Sequence, residues 1–245
     1  MHTVGTSRML PDAVSMVSAA NYLVSNVTVD GADGVGIYAE QSGPGRTTNN
    51  RVSNTLADAI HHTNSSHDIY VAGNTVRNAG DDMIAGVGYV KNGYVAETNL
   101  LIELNDLSQG IARGITVVGG NQVTIRNNKI SQTTMAGIYI ASETAYTTYG
   151  DDDIVVMNNT IDHPAQKANT GHAGLFSYSD TTYLVQNVLF RNNVVTNDGN
   201  GQGLNVFGNI ANVYASGNTL DGSPLSGHGT TTGAPTSITG ATVKP

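Results

Sequence analysis

The side chains in this sequence best suited to chemistry are three carboxylates in two short segments, Ala57-Asp58-Ala59-Ile60 and Gly80-Asp81-Asp82-Met83-Ile84. Asp58 and Asp82 each stand two residues before an isoleucine, and Arg113 does the same before Ile115. If these segments lie side by side in parallel register, Asp58 and Asp82 are about 5 Å apart at Cα, with Asp81 beside them. Carboxylates at that range raise one another's cost of ionising, so a fold gains no stability from stacking them. Hydrolysis of a glycosidic bond does need such a cluster. One group must arrive protonated for the leaving oxygen, and another must be ionised to activate water. The bland alternative is an Asp-Asp that caps a turn, a coincidental Asp58, and Arg113 neutralising both.

The elements that must position these groups follow from a repeat. An alternating apolar pair, an Asn and a further apolar residue two places on recur at Ile69 to Val76, Val123 to Ile130, Ile154 to Ile161, Val188 to Val195 and Val213 to Leu220, with a looser copy at Leu100 to Leu107. The repeated Asn falls at 26, 54, 74, 105, 128, 159, 193 and 218. Period-two alternation means strand, and spacings of twenty to thirty-odd residues leave little room for a helix in each unit. One coil of a parallel solenoid fits. A second apolar element follows each Asn: Val35-Gly36-Ile37, Asp58-Ala59-Ile60, Asp82-Met83-Ile84, Arg113-Gly114-Ile115, Ala136-Gly137-Ile138, Ala173-Gly174-Leu175 and Gln202-Gly203-Leu204. Its first position faces outward and carries the charges. The Asn column is expected to form an amide ladder at a corner with left-handed backbone. The sequence thus predicts an all-β parallel β-helix of about eight coils over residues 1–222, about 38 Å long at ~4.8 Å per coil. Residues 223–245, rich in Gly, Thr, Ser and Pro, are read as a tail or cap.

Composition narrows the function. The chain has 245 residues, 29 Gly, 26 Asn and no Cys or Trp, and only 12% are charged, about half the usual share. Eleven Lys and Arg against 19 Asp and Glu, a net charge of −8, argue against nucleic acid or an acidic membrane as partner. No apolar run is long enough to span a bilayer. The absence of Cys excludes thiol chemistry and disulfides. The first dozen residues hold no apolar signal core, which suggests a cytosolic, processed or excised chain. The first coil lacks an amphipathic cap, which fits a fragment, a homo-oligomer or a cap made by Pro11 to Ala20.

The paired Asp segments resemble those of β-helical glycosidases. Polygalacturonases carry an Asn-Thr-Asp-Gly segment and an Asp-Asp one coil later, and the α-1,3-glucanase (mycodextranase-like) and dextranase families keep the same three-Asp arrangement. The resemblance implies a right-handed, pectin-lyase-like β-helix, an extracellular setting and an inverting glycoside hydrolase. In it Asp81 is the general acid, while Asp58 and Asp82 share the base role. Two departures matter. Arg113-Gly114 stands where polygalacturonases place His-Gly, and their later Arg-Ile-Lys segment has no counterpart. A neutral α-glucan is therefore expected rather than a polyanionic pectin.

Length varies on one side of the coils, at Ala39 to Asn50, Gly86 to Asn99, Ser142 to Asp152 and Ser177 to Gln186. Insertions on one edge of a solenoid usually build its binding face. They supply Tyr89, Tyr94, Tyr146 and Tyr149 as candidate sugar platforms, and with Arg113, His61, His62, Tyr139 and Glu143 they make up the expected substrate-binding set. No metal or other cofactor is expected. Asp151-Asp152-Asp153 offers oxygen ligands but lacks a recognisable Ca²⁺ loop and reads as a solvated turn. Two rival classes stay open: a polysaccharide lyase or C5-epimerase on the same fold, and a non-catalytic, tailspike-like adhesin or binding module.

Overall fold

A computed structural model of the chain describes Arg8, residues 12–91 and 93–225, Gly229, Pro235 and residues 237–245. Short alternating strands can bury only one face each, so they stack coil on coil. Three sheets run the length of the rod. The first contains Val14–Val17, Ile37–Glu40, Ile60–Thr63, Ile84–Val87, Ile115–Val118, Ile138–Ser142, Leu175–Ser179 and Leu204–Gly208, all parallel. The second runs from Tyr22–Ser25 to Ile210–Ser216, and the third from Thr28–Ala32 to Thr219–Leu220. That makes eight coils, as the repeat predicts.

Register in the first sheet places Ile37, Ile60, Ile84, Ile115, Ile138, Leu175 and Leu204 in one inward row, all buried. Each such side chain contributes about 1.5–3 kcal/mol of transfer free energy. The glycines beside this row allow the coils to approach. A Cβ on Gly114 would collide with the Gly137 carbonyl, and one on Gly137 with Ile161.

The Asn ladder exists but begins elsewhere than expected. Asn50, Asn74, Asn105, Asn128, Asn159, Asn193 and Asn218 form it. Asn26 and Asn54 are exposed; Asn54 instead joins an outer row between Asp30 and Asn78. The left-handed backbone also sits one residue earlier than expected, at Asn49, Gly73, Leu104, Asn127, Asn158, Asn192 and Gly217. Asn128 shows what each rung does. Its amide donates to Asn159 Oδ1 at 3.0 Å and to the Ile102 carbonyl at 3.1 Å, and its oxygen accepts from the Asn105 backbone and side chain. Asn128→Ala strands these partners in the interior and should cost on the order of 1–3 kcal/mol in denaturant unfolding. Leu104 is 59% exposed at φ 58°, where a branched side chain is strained. Leu104→Gly should therefore raise stability by about 1 kcal/mol in the same assay, since it relieves a left-handed cost of roughly 1–2 kcal/mol.

The described residues of the C-terminal segment pack on the rod. Ser223–Pro224 doubles back antiparallel on Thr219–Leu220. Thr239, Gly240, Ala241 and Val243 then donate their backbone N–H groups to Asp153, Asp153, Thr124 and Asn99 in turn. The segment thus runs back along the second sheet, with Ala241 and Val243 packed on Tyr70 and Leu101.

Candidate active site

The row that precedes the first sheet keeps register into the corner. Ala59 N–H donates to the Asp82 carbonyl at 3.0 Å, Met83 to Arg113 at 3.1 Å, and Gly114 to Ala136 at 3.1 Å. Asp58, Asp82 and Arg113 therefore stand on three successive coils. Their side chains also bind the next coil: Asp58 Oδ1 accepts the Asp82 N–H at 2.9 Å, and Asp82 Oδ1 accepts the Arg113 N–H at 3.0 Å. Asp12 repeats the device on the first coil by accepting the Val35 N–H at 2.8 Å. The turn-capping alternative thus accounts for one oxygen of each buried carboxylate. With Arg113 beside Asp82 Oδ2 it covers that carboxylate, and it does not account for the Asp58 Oδ2 contact with His61 or the Asp81 pairing with Arg8.

One oxygen from each of Asp58, Asp81 and Asp82 lies within 4.8 Å of the others. Each carboxylate has its own partner. Asp58 Oδ2 is 2.5 Å from His61 Nδ1, Asp81 pairs with Arg8 at 2.7 Å, and Asp82 Oδ2 is 3.6 Å from Arg113 Nη1. Such a cluster has the oxygen chemistry of a cation site, but these side chains already supply its compensating charge.

Environment separates the three. Burial pushes Asp82 up to about 7, against the Arg113 charge that lowers it, and the charges of Asp58 and Asp81 raise it further. Burial also works on Asp58, yet the His61 hydrogen bond and charge outweigh it and hold Asp58 below its ordinary value. Asp81 is the most accessible, its side chain 31% exposed. Two carboxyls of unlike proton affinity in one cluster are what acid–base work requires. The protonated member, however, is Asp82 rather than the expected Asp81. Burial is the largest influence on Asp82, and it outweighs the Arg113 charge and the Thr116 hydrogen bond, both of which lower it.

The trio lines the narrower of two adjoining cavities, and Asp58 alone of the three also borders the wider one. A wide one of about 680 Å³ extends over the first coils, between Asp12, Tyr38, Glu40, Asn64 and Lys91. A narrow one of about 110 Å³ continues toward Arg113, Thr116, Glu143 and Tyr146. Asp58, His61 and Tyr89 border both. The far wall is built by the two expected insertions, which join where Tyr89 bridges Thr148 and the Val90 N–H donates to the Thr147 carbonyl at 2.8 Å.

Several expected contacts move. His62 is an interior residue, since it alternates with His61 along Ile60–Thr63. It is fully buried, 3.1 Å from the Tyr22 hydroxyl through Nδ1, and burial lowers it to about 3. It is closed off from the cleft. His62→Leu should accordingly leave glycan affinity unchanged while shifting unfolding by no more than about 1.5 kcal/mol, the worth of the hydrogen bond to Tyr22. Tyr139 is buried beneath Arg113, its ring centroid 4.5 Å from the guanidinium, and its hydroxyl donates to Glu143 at 3.1 Å. It holds Arg113 and Glu143 from below. Tyr94 and Tyr149 stand outside both cavities, tied by a 2.8 Å hydrogen bond from the Tyr149 hydroxyl to the Tyr94 carbonyl. Tyr89 and Tyr146 do line the cleft. Asp151 is no solvated turn residue: it is buried and accepts the Gly120 N–H at 2.6 Å. Tyr38, Glu40, Asn64, Asp12 and Arg8 border the cleft without being marked by the repeat or the Asp segments. Tyr38 and Glu40 had a legible signal, for both alternate outward along Ile37–Glu40, and Asp12 sits at the charged position of the first coil.

Sequence and structure comparisons agree on the architecture. The family described as "Right handed beta helix region" matches residues 12–220. This chain belongs to that right-handed β-helix family. No curated protein sequence matches it. Among solved structures it is similar to the catalytic unit of a thermostable GH87 α-1,3-glucanase from Streptomyces thermodiastaticus strain HF3-3, with TM-score 0.55 and 19% identity over 87% of this chain and 51% of that one. It is similar too to the catalytic domain of a GH87 α-1,3-glucanase in complex with tetrasaccharides, with TM-score 0.62 and 20% identity over 78% of this chain and 40% of that one. At these identities the likeness is one of fold, and this β-helix spans about half the length of those catalytic units or less.

Proposed function

We propose that this β-helix hydrolyses glycosidic bonds in a neutral polysaccharide, with an α-glucan as the substrate class, at Asp58, Asp81 and Asp82. The observation that carries the reading is the trio itself: three clustered carboxylates in a cleft, one held ionised by His61 and one pushed up to about 7 by burial. Asp81 and Asp82 act together as the acid. Asp82 stores the proton, and the accessible Asp81 presents it to the leaving oxygen. Asp58, oriented by His61, takes a proton from the attacking water.

The cleft's charge supports a neutral substrate. Asp12, Glu40, Asp58, Asp81, Asp82 and Glu143 border it against Arg8, Lys91 and Arg113. A net negative cleft repels a polyuronate. Arg113, the group a lyase would need beside the uronate, is occupied by Asp82 and Glu143. The similarity in fold to α-1,3-glucanase structures is consistent with an α-glucan.

Product NMR tests the reaction class. Hydrolysis gives saturated ends only, and unsaturated ends would establish a lyase. The first-formed anomer settles a further point. The resemblance implies inversion, whereas oxygens within 4.8 Å are closer than the roughly 6.5–9.5 Å between the carboxyl groups of an inverting pair. Inverted product would place the water beside the trio rather than between two of its members. Retained product would make one carboxylate a nucleophile.

A further inference from the structure

We propose that the cleft is closed on one side of the trio, so that the β-helix attacks its polysaccharide from a chain end and releases short products of one size. This rests on the hydrolase reading above. The closing element is a bar of three side chains. Arg113 stands at the entry edge of the first sheet, and Glu143 stands at its exit edge, one residue beyond Ile138–Ser142. Tyr139, outward on that strand, lies between them. Arg113 Nη2 donates to Glu143 Oε1 at 2.9 Å, the Tyr139 hydroxyl donates to the same oxygen at 3.1 Å, and the guanidinium lies over the Tyr139 ring at 4.5 Å. Both charged side chains are 15% exposed. An ion pair this sheltered, stacked on an aromatic face, is held more firmly than a surface pair.

The trio lines the narrow cavity of about 110 Å³, which Arg113 and Glu143 also line and which meets the wide cavity of about 680 Å³ over the first coils at Asp58, His61 and Tyr89. A glycan laid along the sheet can extend one way only. Val87 and Val118 line the narrow cavity, and the same register row continues past the bar through Ala141 and Tyr178 to Phe207, which is largely exposed. Opening the bar would therefore join the cleft to a continuous groove.

The probe is a set of α-1,3-linked glucose oligomers of graded length, labelled at the reducing end. With the unmodified protein, the first products should be one short size, and Glu143→Ala should give a spread with a severalfold larger share of internal cuts. Should that variant fail to fold, Tyr139→Phe loosens the bar by one hydroxyl and should shift the pattern the same way. A spread of sizes from the unmodified protein at the first time points would overturn the proposal. A binding arm uses Asp82→Asn. Its affinity should stop rising once the oligomer outgrows the wide cavity, whereas Asp82→Asn with Glu143→Ala should keep gaining; equal gains in both would also overturn it. Oligomers that show the plateau but are never cleaved would sink the hydrolase reading and leave the closed end standing. Failure of every oligomer to bind would overturn both.

Discussion

Asp82→Asn is expected to remove nearly all turnover, on the order of 10²–10⁴-fold or more, the range ascribed to general acid–base help. The fold should survive. An amide oxygen at this position can still accept the Arg113 N–H that Asp82 Oδ1 accepts now at 3.0 Å, so the coil-to-coil bond persists while the ionisable proton is lost. Oligosaccharide affinity should stay within a few-fold, because the cavity walls are unchanged. Asp58→Asn should also be slow, since an amide cannot take a proton from water, and His61 at 2.5 Å loses its carboxylate partner. Steady-state rates beside circular dichroism melts separate the two losses: a folded Asp82→Asn protein with full activity would move the acid elsewhere, with Glu143 the next candidate.

The pH profile should change in a direction fixed by the site's charges. Asp82 must hold its proton, which it does below about 7 and loses as pH rises through that value; the basic limb of kcat/KM should fall there. Asp58 must be ionised, and His61 holds it below the ordinary carboxylate value, so the acidic limb should lie below that value too. Arg113 lowers the Asp82 value, and Asp58 raises it. Arg113→Met should therefore move the Asp82 titration upward, and Asp58→Asn should move it downward, each followed by carbon NMR of the carboxyl. Movement in the opposite sense would show that burial and these charges are not what set it.

How far the sequence reaches is visible in particular residues. The charged row was legible because an Ile or Leu two residues on fixes its register in every coil, and parallel pairing from Ile37 to Leu204 preserves it. The ladder was misplaced at its start because Asn50-Arg51-Val52 and Asn54-Thr55-Leu56 both fit the Asn-x-apolar pattern, and only pairing of Arg51 with Thr28 and Thr75 decides between them. His61 and His62 are adjacent letters with opposite fates, since strand alternation sends one to the cleft and the other to the core. What raises Asp82 is its burial, and Arg8 reaches Asp81 across 73 positions of sequence. No local pattern encodes that. Tyr139 and Glu143 were noticed as cleft residues, but their joint hold on Arg113 emerges only when the fifth and sixth coils stack.

The most direct test is the release of new reducing ends from a panel of neutral α-glucans, with polygalacturonate and alginate as charged controls. Hydrolysis at the Asp trio predicts release from at least one α-glucan, none from the polyuronates, and loss of that release in both Asp58→Asn and Asp82→Asn while the proteins remain folded. A folded, unmodified protein that cleaves none of the α-glucans, or one whose activity survives both substitutions, would contradict it.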